Sequence, residues 1–251
     1  MVELENKNIM EIFNIHLEFN REKLYDAIEQ RISEQKPGYV CVCDSSVVAR
    51  AHNESDYRKV INGAFVNSCD GSSICTMATK LYGGGLESVN GPEIFAEYTK
   101  KRYKQVIIGN TDEIVKKVRE KLRLEGYDDS HIAHLQVPFC KVENFNYKGI
   151  AEVINAQAYD IIWVSLGNPK QEIFMSKLLL YLNKGVMFGI GAALNFWVGD
   201  LALPEFHIGP LRFIWLTRIF QDPVRQIKMN WDILKTFPKI YKAEKLRKNS
   251  K

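Results

Sequence analysis

Residues 161–172 read Ile-Ile-Trp-Val-Ser-Leu-Gly-Asn-Pro-Lys-Gln-Glu. The first five form an apolar, β-branched run of strand length. Gly167 then permits a close backbone approach, and Pro169 suits the first turn of a helix. The stretch therefore predicts a strand, a short loop and a helix. Working outward, the same alternation recurs. Further short apolar runs at 39–43, 64–67, 105–108, 132–137 and 185–190 read as buried strands, beside 161–165. Between them, 21–35, 71–81, 92–101, 112–125, 148–156 and 170–182 carry helical patterns. Strands alternating with helices of this length predict βαβ units, hence an α/β fold with a Rossmann-like, mostly parallel sheet flanked by helices. Ligands of such sheets bind where strands end and helices begin. The loops to inspect are 43–46, 68–73, 109–112, 167–171 and 189–195.

After Gly199 the strand signals stop. Residues 201–210 hold two prolines and a glycine and read as a connector. Residues 211–220 and 223–237 read as helices, with Pro238 ending the second. The chain thus divides into a catalytic body, 1–200, and a C-terminal helical appendage, 201–251. Charge divides at the same place. The 251 residues carry 34 Lys/Arg and 30 Asp/Glu, a net of +4. From Ala202 onward there are 11 basic against 4 acidic residues, so a mildly acidic body bears a basic tail. Phe213, Trp215, Phe220, Trp231 and Phe237 lie in that tail, which suits a segment lying on an anionic lipid surface. Nucleic-acid binding is disfavoured, because no recognisable module accompanies the charge.

Hydrophobic residues at 46% and charged residues at 25% exclude a collagen-like or wholly disordered chain. The five cysteines read as free thiols of a reducing cytoplasm, since their number is odd and each lies in or beside an apolar run. Cys41 and Cys43 share one face of their strand, without the partners a zinc site needs. The first residues show no basic and apolar regions of a signal peptide. No apolar run approaches the ~18 residues of a membrane span.

Three loops could carry chemistry. Ser68-Cys69-Asp70-Gly71-Ser72-Ser73 joins a strand to a helix. Asp70 there is either a general base over the sheet edge or a cap of the helix. Gly167-Asn168-Pro169-Lys170-Gln171-Glu172 offers a permissive turn and donors for a phosphate or sugar. Gly189-Ile190-Gly191-Ala192-Ala193-Leu194-Asn195 fails as a dinucleotide fingerprint, since its sixth position is Leu194 and no acidic residue follows in the right context. A nicotinamide enzyme is therefore disfavoured. There is no Walker A sequence, no Gly-x-Ser-x-Gly elbow and no Asp-x-Asp metal clamp. The five histidines have no ligand spacing.

In this order and spacing the three loops resemble the WecB/TagA/CpsF glycosyltransferase family over roughly residues 8–237. Trp215-x-x-Arg218 followed by Asp222-Pro223-x-Arg225 extends the likeness into the appendage. The resemblance implies an inverting transferase that uses a UDP-sugar donor and no cofactor or metal. It implies a polyprenyl-diphosphate-linked sugar acceptor at the cytoplasmic face of the membrane, with the enzyme peripherally attached. The products would be capsule, teichoic acid linkage or related surface polysaccharide. Asp70 falls on the family's catalytic base and Gln171 on its substrate-site glutamine. Gly71, Asn90, Gly167, Lys170, Glu172, Gly189, Gly191 and Asn195 fall in its substrate or nucleotide site. Arg212, Arg218 and Arg225 become candidates for gripping a diphosphate. Some positions depart from the family pattern. Cys41 and Cys43 stand where Thr and Asn are usual, Asn195 where Asp is usual, and Ser88 and Ala202 where Arg is usual. These departures leave altered specificity and lost activity both open, the latter as a non-catalytic sugar-nucleotide-binding subunit of a polysaccharide assembly complex. A homo-oligomer is open as well.

Overall fold

The buried strands are continuous apolar runs because both of their faces are covered by helices. The computed structural model describes residues 10–201, 207–208, 211–212 and 223–250. It begins with a hairpin, β1 (Met10–Ile12) and β2 (Ile15–Leu17), whose turn residues Phe13 and Asn14 have φ of 57° and 64°. The body then runs α1 (Arg21–Ser33), β3 (Gly38–Cys43), α2 (Ser45–Asn53), α3 (Ser55–Asn62), β4 (Val66–Cys69), α4 (Ser72–Tyr82) and α5 (Gly91–Tyr98). It continues with β5 (Gln105–Gly109), α6 (Asp112–Leu124), β6 (Ile132–Leu135), α7 (Tyr147–Gln157), β7 (Ile161–Ser165), α8 (Lys170–Leu178), β8 (Val186–Gly189) and α9 (Ala193–Trp197). A two-residue pair, β9 (His207–Ile208) and β10 (Leu211–Arg212), precedes the long helix α10 (Pro223–Asn249).

The six strands β4-β3-β8-β7-β5-β6 form one sheet in that order, and every pairing is parallel. Alternation along each strand builds two cores. Cys41, Cys43, Val106, Ile108, Ile162, Val164 and Met187 point to the face covered by α2, α3, α4, α7 and α8. Val40, Val42, Ile107, Trp163, Val186 and Phe188 point to the face covered by α1, α5, α6 and α9. On that second face Trp163 stacks edge-on with Phe95 at 4.9 Å, and its indole N–H donates to Gln105 Oε1 at 2.7 Å, so a large buried ring keeps its donor satisfied.

Local chemistry explains the helix starts. Thr111 caps α6 by accepting from the Ile114 N–H, with Asp112 and Glu113 in the first turn. Asp44 caps α2 through the Ser46 and Val47 N–H groups. α4 is different: its N-cap is Gly71, at φ 126°, and no side chain caps it.

Several expectations need correction. Strand signals do not stop after Gly199, since β9 and β10 pair antiparallel. The helix expected at 211–220 begins instead as a strand at Leu211–Arg212, and 213–220 lie outside the described residues. Pro238 does not end its helix. α10 runs through it to Asn249. An internal proline costs a helix about 3 kcal/mol, so something must offset it. The turns beyond Pro238 do so by docking. Ile240 is buried, and Glu244, 3% exposed, accepts from the Phe13 N–H at 2.9 Å and from Arg247 Nε at 3.0 Å. Tyr82 of α4 also donates to Glu244, and Asn53 of α2 donates to Thr236 at 3.2 Å. The expected 170–182 helix stops at Leu178 and tightens into a 3-10 turn at Leu179–Tyr181.

Glu244 thus joins the first hairpin, α4 and the last helix. Replacing it with Ala leaves the Phe13 N–H and the Tyr82 hydroxyl without their acceptor. The expected loss is about 2–4 kcal/mol in urea unfolding. A loss below about 0.5 kcal/mol, the scale of an ordinary surface substitution, would show that this docking contributes nothing.

Candidate active site

Because all six strands are parallel, their carboxyl ends share one edge. β5 leads into α6 on one face and its neighbour β7 leads into α8 on the other, which opens a crevice at that edge. Asp44, Asp70, Asn110, Gly167–Gln171 and Gly189–Asn195 all follow strand ends there.

Hydrogen bonds tie these loops into one framework. The Asp70 N–H donates to the Cys43 carbonyl at 2.9 Å, and the Val89 N–H to the Cys69 carbonyl at 2.9 Å. Gly91, the first residue of α5, packs so closely on Ile190 and Ala193 that an added Cβ would stand 3.4 Å from the Ala193 Cβ. Gln171 Oε1 accepts from the Gly191 N–H at 3.0 Å, while its Nε2 donates to Glu172 Oε1 at 2.8 Å. Ser165 Oγ donates to the Gly191 carbonyl at 2.6 Å. Asn110, at φ 63°, donates to Ser165 Oγ at 3.3 Å and to Asn195 Oδ1 at 3.2 Å. Asn168 precedes a cis peptide bond to Pro169 and donates to Ser46 Oγ at 3.2 Å.

The expected residues fare differently within this framework. Asp70 is half-buried at the end of β4. Gly71, Gly167 and Gly191 have positive φ values of 126°, 75° and 50°, as close-approach turns require. Gly189 packs on Gln171, whose Nε2 would stand 3.2 Å from a Cβ. Asn90 caps α5 by accepting from the Glu93 N–H at 2.9 Å, which holds it beside the β4 end. Lys170 stands over the rings of Phe145 and Phe139, 5.0 and 5.2 Å from their centroids. Glu172 is fully buried. Arg218 lies outside the described residues, and Arg212 and Arg225 are described in backbone alone.

Asn110, Ser165, Ser46 and Tyr57 are framework residues that the sequence reading did not single out. Ser46 and Asn110 lie in loops marked by strand ends and Ser165 ends its strand, whereas Tyr57, whose hydroxyl donates to Asn168 Oδ1 at 3.4 Å, lies in α3, which no pattern marked; a hydroxyl or amide between loops has no periodic signature. Cys41 and Cys43 are fully buried, and burial pushes both thiols well above their ordinary range, so neither is a nucleophile. His134 sits between Asp112 Oδ1 at 2.7 Å and the Gly109 carbonyl at 3.0 Å. Among the described residues no three His, Cys, Asp or Glu side chains converge as a metal site. Alongside α4, next to Asp70 in the chain, runs an open groove of about 540 Å³ lined by Arg21, Ser72, Thr76, Thr79, Lys80 and Ser88.

Asn110 can be tested directly. Asn110→Gly keeps the left-handed turn and removes both side-chain bonds, whereas Asn110→Ala also adds backbone strain. The Ala variant should be less stable than the Gly variant by about 1 kcal/mol in urea unfolding. Equal stabilities would show that the turn is not held left-handed.

The sequence has known relatives. The chain matches the glycosyl transferase WecG/TagA/CpsF family over residues 10–251. It is 24% identical over 211 residues to an N-acetylglucosaminyldiphosphoundecaprenol N-acetyl-β-D-mannosaminyltransferase of Bacillus spizizenii, covering 79% of this chain and 77% of that protein. The parallel sheet, the glycine turns at its carboxyl edge and the match over nearly all of the sequence agree: this chain is a glycosyltransferase and belongs to the WecG/TagA/CpsF family.

Proposed function

We propose that this enzyme transfers a hexosyl or N-acetylhexosaminyl group from a UDP-sugar to a sugar carried on a polyprenyl diphosphate, with inversion, in the building of a surface polysaccharide. One observation carries the reading. Asp70 is at the carboxyl edge of the sheet, its N–H bonded to the end of β3, and the segment entering α5 is held to the end of β4 by the Val89–Cys69 bond. The name of the Bacillus relative supports the acceptor class, a lipid diphosphate bearing a sugar.

In this reading the acceptor lies along α4, where Ser72, Thr76, Thr79 and Ser88 offer hydroxyls and Lys80 offers charge, beside the ion pairs of Arg21 with Glu87 and Glu93. The donor lies across the turns of Gly167 and Gly191. Asp70 takes the proton from the acceptor hydroxyl while that oxygen attacks the anomeric carbon from the face opposite UDP. The carbon–oxygen bond to UDP breaks as the new one forms, so a single displacement inverts the configuration. Backbone N–H groups at helix starts and the arginines of the appendage stabilise the leaving diphosphate, without a resident metal. Asp70→Asn should lower turnover at least ~100-fold, measured as UDP release with a polyprenyl-diphosphate-N-acetylglucosamine acceptor. Near-normal turnover would remove Asp70 from this role.

The appendage is the part we assign to the membrane. No helix among the described residues is long and apolar enough to cross a bilayer. On α10, however, Trp231 and Leu234 are 58% and 68% exposed, and Lys235 stands 4.8 Å from the Trp231 ring centroid. An aromatic and aliphatic face beside lysines suits the interface of an anionic leaflet. The double variant Trp231→Glu, Leu234→Glu should float with anionic liposomes at least ~10-fold less than the unaltered protein. Unchanged flotation would sink the membrane assignment.

A further inference from the structure

The displacement leaves one buried titratable group at the site unused. Glu172 is in the first turn of α8 and is 0% exposed. Its Oε1 accepts the Gln171 amide at 2.8 Å, and that amide's own oxygen accepts the Gly191 N–H at 3.0 Å. A two-link chain therefore runs from Glu172 to the backbone of the glycine turn. Gly189 faces the same amide and Met175: a Cβ added there would stand 3.2 Å from Gln171 Nε2 and 2.8 Å from Met175 Cε. Glu172 Oε2 has no hydrogen-bond partner among the described residues.

The surroundings favour an uncharged carboxyl. The groups that face it are Cys41 and Cys43 of β3, Asp44 at the start of α2 and Tyr57 of α3, none of them a cation. No ion pair reaches it among the described residues. Burial pushes the Glu172 carboxyl up to about 7; hydrogen bonding from the Gln171 amide, its own backbone N–H and the Tyr57 hydroxyl opposes the shift, and the charge of Asp44 adds to it.

We propose that Glu172 is a positioning residue: uncharged, it clamps the Gln171 carboxamide against the Gly191 N–H and shapes the Gly189–Gly191 turn for a nucleoside diphosphate; ionised, it puts a buried negative charge behind that turn and weakens binding. The choice of ligand rests on the UDP-sugar reading above. The clamp itself rests on the hydrogen bonds alone.

The sign follows from linkage. A carboxyl raised in the folded state costs nothing below its ordinary value of 4.5; the cost grows as pH rises towards 7 and is complete above it. Glu172→Gln keeps an acceptor for the Gln171 amide and cannot ionise. Its melting temperature should match the unaltered protein near pH 4.5 and exceed it by at least ~4 °C at pH 8. UDP, titrated calorimetrically into both proteins, supplies the second readout. The dissociation constant of the unaltered protein, divided by that of the Gln variant, should rise about tenfold between pH 5.5 and 8.5, because a ligand and a proton that favour one another must do so reciprocally. Glu172→Leu removes the clamp as well as the charge, so its UDP affinity should fall at least ~10-fold at pH 6, with Gln at the same position recovering most of that loss. A melting-temperature difference that does not vary with pH overturns the buried-charge argument. A pH-independent ratio of dissociation constants, or a Leu variant that binds UDP as well as the Gln variant, overturns the positioning role. Failure of the unaltered protein to bind UDP at any pH overturns the donor reading, and the melting temperatures then still decide the charge state of Glu172.

Discussion

A strand that runs parallel to its neighbour cannot be reached by a tight hairpin; the chain must cross back over the sheet, and a helix is the usual way to do so. That constraint organises the body. Every strand of the six-stranded sheet is entered from the same end, so every strand ends at the same edge. Loops that are distant in sequence, around residues 44, 70, 110, 168 and 190, are delivered to one place without any contact having to select them. What selects their final conformation is the second step. Gly191 bonds to Gln171, Ser165 bonds to Gly191, and Asn110 bonds to both Ser165 and Asn195. Each bond joins two strand ends, so the crevice holds its shape as a unit.

The same division explains what could be read from the sequence. A buried parallel strand is a short apolar run with a glycine or small polar residue at its end, and 161–165 is legible for that reason. The expected strands at 105–108 and 185–190 differ from the observed ones by only a residue at one or both ends. The unexpected elements lack such a signal. α2 and α3 are eight or nine residues long, meet at Glu54, and carry enough Arg, His, Asn and Asp to resemble a loop. The β1–β2 hairpin has three-residue strands and a Phe13-Asn14 turn in place of the usual glycine. Phe13 holds its left-handed backbone because its ring is buried and its N–H is bonded to Glu244, far away in sequence. Such a partner is invisible to local pattern. Pro238 misleads for the converse reason: the local rule is sound, and docking of Ile240 and Glu244 outweighs it.

The site shows a similar split. The glycines and Gln171 were readable because motif spacing constrains them. The amide and hydroxyl links between loops were not, because an Asn or Ser that bonds across two strand ends leaves no periodic trace. Lys170 was expected as a donor at the site. Its ammonium stands over Phe139 and Phe145, and those rings lie in the loop between β6 and α7, which no motif marked.

Cys41 and Cys43 now have a consequence beyond their own thiols. At these positions the resembled family commonly has Thr and Asn, which would bring hydroxyl and amide groups to the face that Glu172 occupies. Here that face carries two thiols whose own ionisation burial suppresses. Thiols are weak donors, and among the described residues Glu172 Oε2 has no well-formed hydrogen bond, with only the Tyr57 hydroxyl near enough to favour its charge. A carboxylate in that setting gains too little from its neighbours to offset its desolvation, whereas a neutral carboxyl costs far less. The two thiols and the raised carboxyl thus belong to one buried face, and burial is the main cause of both shifts. On the proposal above, the neutral carboxyl is therefore the form of Glu172 that holds Gln171 at the lower desolvation cost.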